Sequence, residues 1–273
     1  MNIGIIGQGF VGKAVFQKFK SFFKVYTYDF ISKICNSSYN DLVKNCKIIF
    51  VCIPTPMNKD GSCNVELVRN LLYKLNKETK AIVVNKSTVI PGTTESFNRE
   101  FENLQIVFNP EFLTERNSVE DFNKQNRIIL GGSRSVTDEL EQIYSIPFPN
   151  AYVIKTSAKH AEMVKYFTNC FLANKVSFAN EMYDLCTALD LDYDKIVEYV
   201  KLDKRLGNTH WAVPGPDGDF GFGGHCLPKD LSAIIKMTEN LGTINGTLKS
   251  VLKTNNKIRK NRDWEKMKGR AIS

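Results

Sequence analysis

Gly7-Gln8-Gly9-Phe10-Val11-Gly12 restricts the possible folds of this chain more than any other stretch. It follows a short apolar run, Met1 to Ile6, that reads as a buried parallel strand, and it opens a helical pattern from Gly12 to Phe22. In a G-x-G-x-x-G turn the first glycine allows the tight reversal. The second lets a pyrophosphate approach the backbone, and the third lets helix and strand pack closely. The helix N-terminus then offers free N–H groups and a positive dipole end to the phosphates. Alone the pattern is weak, but Asp29 lies 17 residues past Gly12, at the end of a second strand from Val25 to Tyr28. A carboxylate there accepts hydrogen bonds from both ribose hydroxyls and repels a 2′-phosphate. Gly7, Gly9, Phe10, Val11, Gly12 and Asp29 are therefore expected to bind NAD rather than NADP.

Strand and helix signals then alternate. Strands are predicted at Ile48–Ile53, Ala81–Asn85, Ile106–Phe108 and Arg127–Leu130, and helices at Asp41–Cys46, Val65–Asn76 and Thr93–Phe101. This order predicts an α/β class, with a Rossmann-type, doubly wound parallel sheet over residues 1–155. From Ala158 to Leu189 there is no proline or glycine, and apolar residues recur at helical spacing. Such a helix is about 45 Å long at 1.5 Å per residue. It implies a spine joining two halves or two subunits, and a homodimer is expected through it because its partner face would otherwise lie exposed. Residues 156–265 read as an all-α middle domain. Its Gly/Pro-rich loop runs from Val213 to Asp230, and its later helices cover Leu231–Leu241 and Thr247 to about Lys260.

Composition excludes several classes. Hydrophobic residues make up 42% and charged residues 24% of 273, an ordinary globular mixture. No run nears the roughly 20 apolar residues needed to span a bilayer, and the Gly-rich N-terminus lacks a basic leader and a cleavage site. No membrane association is expected. The net charge of +8 gathers near the end, from Lys253 to Arg270. With no nucleic-acid motif beside it, it reads as a solvated face and tail. Seven cysteines, an odd number with no C-x-x-C pair, show neither a zinc spacing nor a disulfide framework, so a reducing, cytoplasmic setting is expected.

Five further segments occur in order: Val51-Cys52-Ile53-Pro54-Thr55-Pro56, Lys86-Ser87-Thr88-Val89-Ile90-Pro91-Gly92-Thr93-Thr94, Asn109-Pro110-Glu111-Phe112-Leu113-Thr114-Glu115, Lys165-Tyr166-Phe167-Thr168-Asn169, and Gly221-Phe222-Gly223-Gly224-His225-Cys226-Leu227-Pro228-Lys229-Asp230. Over nearly its whole length the chain resembles the UDP-glucose/GDP-mannose dehydrogenase family, of the UDP-glucose 6-dehydrogenase type. The resemblance implies oxidation of the C6 hydroxyl of a UDP-hexose, most of all UDP-glucose, to a carboxylate, with two NAD used in sequence and an enzyme thioester on the route.

On that resemblance Cys226 is the nucleophile. A thiolate adds readily to an aldehyde, and the adduct can lose hydride. The glycines at 221, 223 and 224 let backbone approach a sugar, and a nearby lysine favours the thiolate. Lys165 and Asn169, four apart on a predicted helix, share a face and can stabilise oxyanions. The resemblance further implies that Asp230 works with Lys165 on a water that accepts the first proton. Glu111 activates water against the thioester, and Thr88 holds that water or orients Glu111. Pro54, Thr55, Ser87, Thr88 and Glu115 are implied at the cofactor. Glu111, Phe112, Leu113, Lys165, Asn169, Phe222, Gly223 and Gly224 are implied at the sugar nucleotide, which Arg205 reaches from a neighbouring subunit.

Two departures from the family pattern stand out. Only about 20 residues separate Asp29 from Val51, where the family usually carries a longer insert, so a less covered cofactor is expected. Residues 266–273 resemble the approach to a third, UDP-holding domain, which leads to an expectation of weak or absent activity unless a separate polypeptide supplies it. The alternatives are a non-catalytic NAD-binding remnant and a two-electron 3-hydroxyacid dehydrogenase. The latter also places Lys and Asn four apart but needs no thiol.

Overall fold

The computed structural model describes residues 1–273, the side chain of Ser32 excepted. It divides into two compact units, residues 1–55 with 65–165, and residues 56–64 with 166–273.

In the first unit, strands β1 (Asn2–Ile6), β2 (Lys24–Tyr28), β3 (Ile48–Val51), β4 (Ile82–Asn85), β5 (Gln105–Phe108), β6 (Arg127–Gly131) and β7 (Tyr152–Thr156) form one sheet. Their order is β2-β1-β3-β4-β5-β6-β7. Helices α1 (Phe10–Phe19), α2 (Tyr39–Asn45), α3 (Glu66–Glu78), α4 (Thr93–Glu100), α5 (Ser118–Asn123) and α6 (Arg134–Ser145) lie between them. Every residue of β3 and β4 is buried, as strands covered on both faces require. Alternate side chains serve opposite faces. Ile3, Ile5, Ile48 and Phe50 pack with Phe19 of α1 and Leu140 of α6. Ile6, Ile49 and Val51 pack with Leu42 of α2, Leu72 of α3 and Phe97 of α4. Each such fully buried side chain contributes roughly 1.5–3 kcal/mol.

The doubly wound sheet followed by a long helix and a helical segment is as expected from the sequence, with one correction. The first five strands are parallel, but β6 meets β5 antiparallel through Phe108 and Gly131, and β7 runs parallel to β6. Only the short α5 separates β5 from β6, and an antiparallel neighbour needs no full crossover helix. β7 was not expected because two of its five residues are exposed and none is fully buried, so it lacks an apolar run.

Helix α7 (Ala158–Ala188) begins in the first unit and continues in the second. At its start Ala161 sits so close to β6 that a Cβ on Gly131 would stand 2.6 Å from the Ala161 Cβ. Glu162, fully buried, accepts from the Gly92 N–H at 2.6 Å and the Thr94 N–H at 2.8 Å, so it caps the start of α4.

The second unit adds α8 (Tyr193–Val200), α9 (Leu227–Leu241) and α10 (Gly246–Ile258). Its core joins Ala179 and Cys186 of α7, Tyr193 and Val197 of α8, and Trp211 and Val213. α9 starts at Leu227, four residues earlier than the Gly/Pro-rich reading allowed, because Pro228 occupies the first turn, where its missing N–H costs nothing. The 56–64 segment forms a small turn. Met57 bridges Cys63 on one side and Ile272 on the other.

Candidate active site

The glycine loop is built for close approach. Gly7 has φ +95°, and a Cβ there would meet the Cys52 carbonyl oxygen at 2.4 Å. A Cβ on Gly12 would stand 1.8 Å from the Gly7 oxygen, whereas Gly9 has nothing within 4 Å. The open position therefore lies at the N-terminus of α1, where a pyrophosphate belongs. Phe10 and Val11 begin that helix, both half-buried. The Gln8 N–H donates to Asp29 Oδ2 at 2.6 Å and the Ile31 N–H to Oδ1 at 3.0 Å. These bonds hold the carboxylate beside the glycine turn, at the position of a ribose. Thr55 Oγ1 donates to the Thr88 carbonyl at 2.7 Å and ties the turn after β3 to the turn after β4. Ser87 is buried, Thr88 is half-buried, and Pro54 and Glu115 are exposed. The cradle, the open face at Gly9 and the placed carboxylate fit NAD.

The carboxylate of Glu111 stands just after β5. Its Oε1 accepts from Lys165 Nζ at 2.8 Å and its Oε2 from the Leu113 N–H at 2.8 Å. Lys165 also donates to the Glu111 carbonyl at 2.7 Å and lies 5.7 Å from the centre of the half-buried Phe112 ring. Burial pushes the Glu111 carboxyl up, but the Lys165 ammonium, the Leu113 N–H and Lys86 outweigh it and hold the group below the ordinary carboxylate range. Lys86, buried under the same loop, donates to Asn109 Oδ1 at 2.7 Å, and Tyr144 donates to that oxygen at 2.6 Å. Burial lowers Lys86 to about 8.

In the second unit Cys226 is the N-cap residue of α9 and is half-buried. The helix dipole and the Lys229 ammonium one turn on both favour a thiolate there. Lys229 and Asp230 are both buried, with Nζ 2.5 Å from Asp230 Oδ1. Burial works against the Lys229 charge, yet Asp230, Cys63 and Cys226 prevail and hold the ammonium above its ordinary value. The other Asp230 oxygen accepts from Asn169 Nδ2 at 2.6 Å. Asn169 thus meets Asp230, while Lys165, one turn earlier on α7, meets Glu111. Phe222 is buried, and Gly223 and Gly224 are half-buried in the loop before Cys226. Arg205 is exposed and paired with Asp203 in its own turn. Sequence reasoning did not single out Lys86, Glu162 or Asn109. Their signal was a polar residue inside an otherwise apolar or motif-bearing stretch.

Among the described residues no cluster of His, Cys, Asp and Glu is placed to hold a metal. No helix among them is long and apolar enough to cross a membrane.

Residues 32–147 match the NAD binding domain, and residues 159–257 the central domain, of the UDP-glucose/GDP-mannose dehydrogenase family. UDP-glucose 6-dehydrogenase YwqF of Bacillus subtilis is 32% identical over 233 residues, 81% of this chain and 51% of that one. The UDP-glucose 6-dehydrogenase of Pseudomonas aeruginosa is 34% identical over 222 residues, 76% of this chain and 48% of that one. A solved UDP-glucose dehydrogenase of Pyrobaculum islandicum matches with a TM-score of 0.84 at 29% identity, covering 94% of this chain and 68% of the other. The chain spans about half the length of the curated relatives it matches. The chain belongs to the UDP-glucose/GDP-mannose dehydrogenase family and comprises its N-terminal NAD-binding and central domains.

Proposed function

We propose that this chain carries the NAD-binding and catalytic parts of a UDP-glucose 6-dehydrogenase, which oxidises the C6 hydroxyl of UDP-glucose to a carboxylate. The observation that carries the reading is Cys226 at the N-terminus of α9, one turn before a buried Lys229–Asp230 pair whose carboxylate also binds Asn169. A two-electron hydroxyacid dehydrogenase has no use for that thiol.

NAD, when bound, accepts a hydride at each of the two oxidations. Asp230, with Lys165, receives the hydroxyl proton through a water, leaving an aldehyde at C6. The Cys226 thiolate adds to the aldehyde carbon, and the Lys165 ammonium and Asn169 amide stabilise the resulting oxygen anion. Loss of the second hydride leaves a thioester on Cys226. Glu111, kept ionised by Lys165, draws a proton from the water that attacks it, and the thiolate departs with the acid released. Thr88 orients that water or Glu111.

Asp29 selects NAD over NADP. Glu115, Pro54, Thr55 and Ser87 border the cofactor, and Phe112, Leu113 and Phe222 to Gly224 border the sugar. The exposure of Arg205 suits a residue that serves the sugar nucleotide of a second copy. None of the cysteines is in a disulfide among the described residues, which fits a reducing, cytoplasmic setting.

The test is NADH production from UDP-glucose at high protein concentration, alone and with a C-terminal domain from a relative added. Two NADH per sugar are expected, with Cys226→Ser forming no acid. Tight NAD binding with no turnover under either condition overturns the proposal in favour of a non-catalytic NAD-binding protein.

A further inference from the structure

The loop that carries Cys226 is held through its main chain by buried polar side chains. Asn180 Oδ1 on α7 accepts from the Gly221 N–H at 3.0 Å. Asn255 on α10, fully buried, grips Phe222 at both ends: its Oδ1 accepts from the Phe222 N–H at 2.7 Å, and its Nδ2 donates to the Phe222 carbonyl at 3.0 Å. Asp263 accepts from the Gly224 N–H with both oxygens at 3.1 Å. Beneath them lies Arg259, its side chain 1% exposed. Its Nη2 is 2.5 Å from Asp217 Oδ2 and 3.5 Å from Asp263 Oδ1, and its Nε donates to the Asn261 carbonyl at 2.8 Å.

The glycines of the loop answer to this floor. A Cβ on Gly221 would stand 2.3 Å from Asn255 Oδ1, and one on Gly223 2.2 Å from Arg259 Nη2. The backbone therefore lies flush on the two side chains, and four successive peptide units, from Phe220–Gly221 to Gly223–Gly224, have fixed orientations. A fully buried asparagine and a nearly buried arginine are expensive to place. Here the Asn255 amide ends on this loop, and the Arg259 Nη2 ends on the carboxylates of Asp217 and Asp263.

We propose that Asn255, Arg259 and Asp263 are positioning residues for the nucleophile, setting where the Cys226 sulfur stands and so governing the second oxidation selectively. The inference rests on the function proposed above. Removing the first hydride needs no sulfur, whereas oxidising the aldehyde requires the sulfur to sit within bonding reach of its carbon. A displacement of about 1 Å at a reacting atom costs about 10²-fold in rate. Loosening the floor should therefore separate two steps that the intact site runs together.

The experiment uses the full chain with Asp263→Ala, Asp263→Asn and, as a control in the same turn, Glu265→Ala. The first readout requires no turnover: the rate at which iodoacetamide alkylates Cys226, followed at the peptide level by mass spectrometry. Asp263→Ala is expected to change that rate by about tenfold, the effect of losing a hydrogen bond to a charged group. Asp263→Asn, which keeps an acceptor for the Gly224 N–H, should recover most of it, and Glu265→Ala should match wild type. The second readout is NADH stoichiometry with UDP-glucose and NAD. In Asp263→Ala it falls from two per sugar toward one, trappable aldehyde accumulates, and KM for the sugar nucleotide holds.

A folded Asp263→Ala protein whose Cys226 alkylates at the wild-type rate overturns the positioning role. So does an equal fall in both oxidations. Should Asp263→Ala not fold, Asp263→Ser decides. Its side chain is too short to reach the Gly224 N–H, so it must alkylate at a rate distinct from wild type, and a wild-type rate refutes the proposal. If no form turns over UDP-glucose while the alkylation rates still diverge, the assigned reaction fails and the control of the sulfur's position stands.

Discussion

Lys165 Nζ lies 2.8 Å from Glu111 Oε1 in a pair whose side chains are 4% and 5% exposed. The third turn of α7 is thereby fastened to the loop after β5, and a carboxylate is kept ionised where water is scarce.

Lys165→Met strands that carboxylate. Removing one partner of a buried ion pair costs about 3–5 kcal/mol, chiefly because the remaining charge is uncompensated. The denaturant midpoint should drop accordingly, and adding Glu111→Gln should restore most of it while leaving the protein inactive. In wild type the Glu111 carboxyl is depressed, so its contribution is present above the ordinary carboxylate range and is lost as pH falls through its folded value. A Lys165→Met protein as stable as wild type at neutral pH contradicts the pairing.

Lys86 gives the opposite pH dependence. Its ordinary value is 10.5 and burial lowers it to about 8, with Cys52 and Glu111 opposing that shift and Lys165 adding to it. Below pH 8 both folded and unfolded chains hold the proton, and the penalty of burying the charge is complete. Between pH 8 and 10.5 the unfolded chain binds a proton that the folded chain does not, so stability rises with pH. The rise is on the order of 3 kcal/mol. Unfolding of wild type and Lys86→Met across this range should show the increment in wild type alone, and parallel curves count against it.

Helix α7 presents Phe167, Phe171, Phe178 and Leu185 to solvent, at spacings of four and seven residues. That stripe is the basis for proposing a homodimer through this helix. Light scattering at micromolar concentration should give twice the chain mass, and Phe171→Glu should give a monomer. A wild-type monomer disposes of the proposal.

Much of this was legible in the sequence because the strongest signals are local. A glycine turn between a strand and a helix, or a lysine and an asparagine four apart, carries its geometry within a few residues. The terminal strand β7 was not legible, since Tyr152 to Thr156 alternates exposed and half-buried positions and lacks the continuous apolar run of β3. α9 starts four residues before its predicted start because Pro228 opens the helix and does not belong to the loop, and this puts Cys226 at a helix N-terminus that no local pattern in the sequence marks. Residues that act at long range left no local trace. Asn255 meets Phe222 across 33 residues, and Glu162 reaches Gly92 across 70.

Met57 donates to the Ala271 carbonyl at 2.8 Å and accepts from the Ser273 N–H at 2.9 Å. The Ser273 hydroxyl also donates to the Met57 carbonyl, across 216 residues of chain. A polypeptide leaving the ribosome thus produces the 56–64 turn well before the 271–273 segment with which it pairs. Closing so long a loop adds little cost beyond that of a moderate one, because the entropy grows only with the logarithm of length. What the separation imposes is an order of events: residues 65–165, which belong to the first unit, are made before the 56–64 turn can meet its partner.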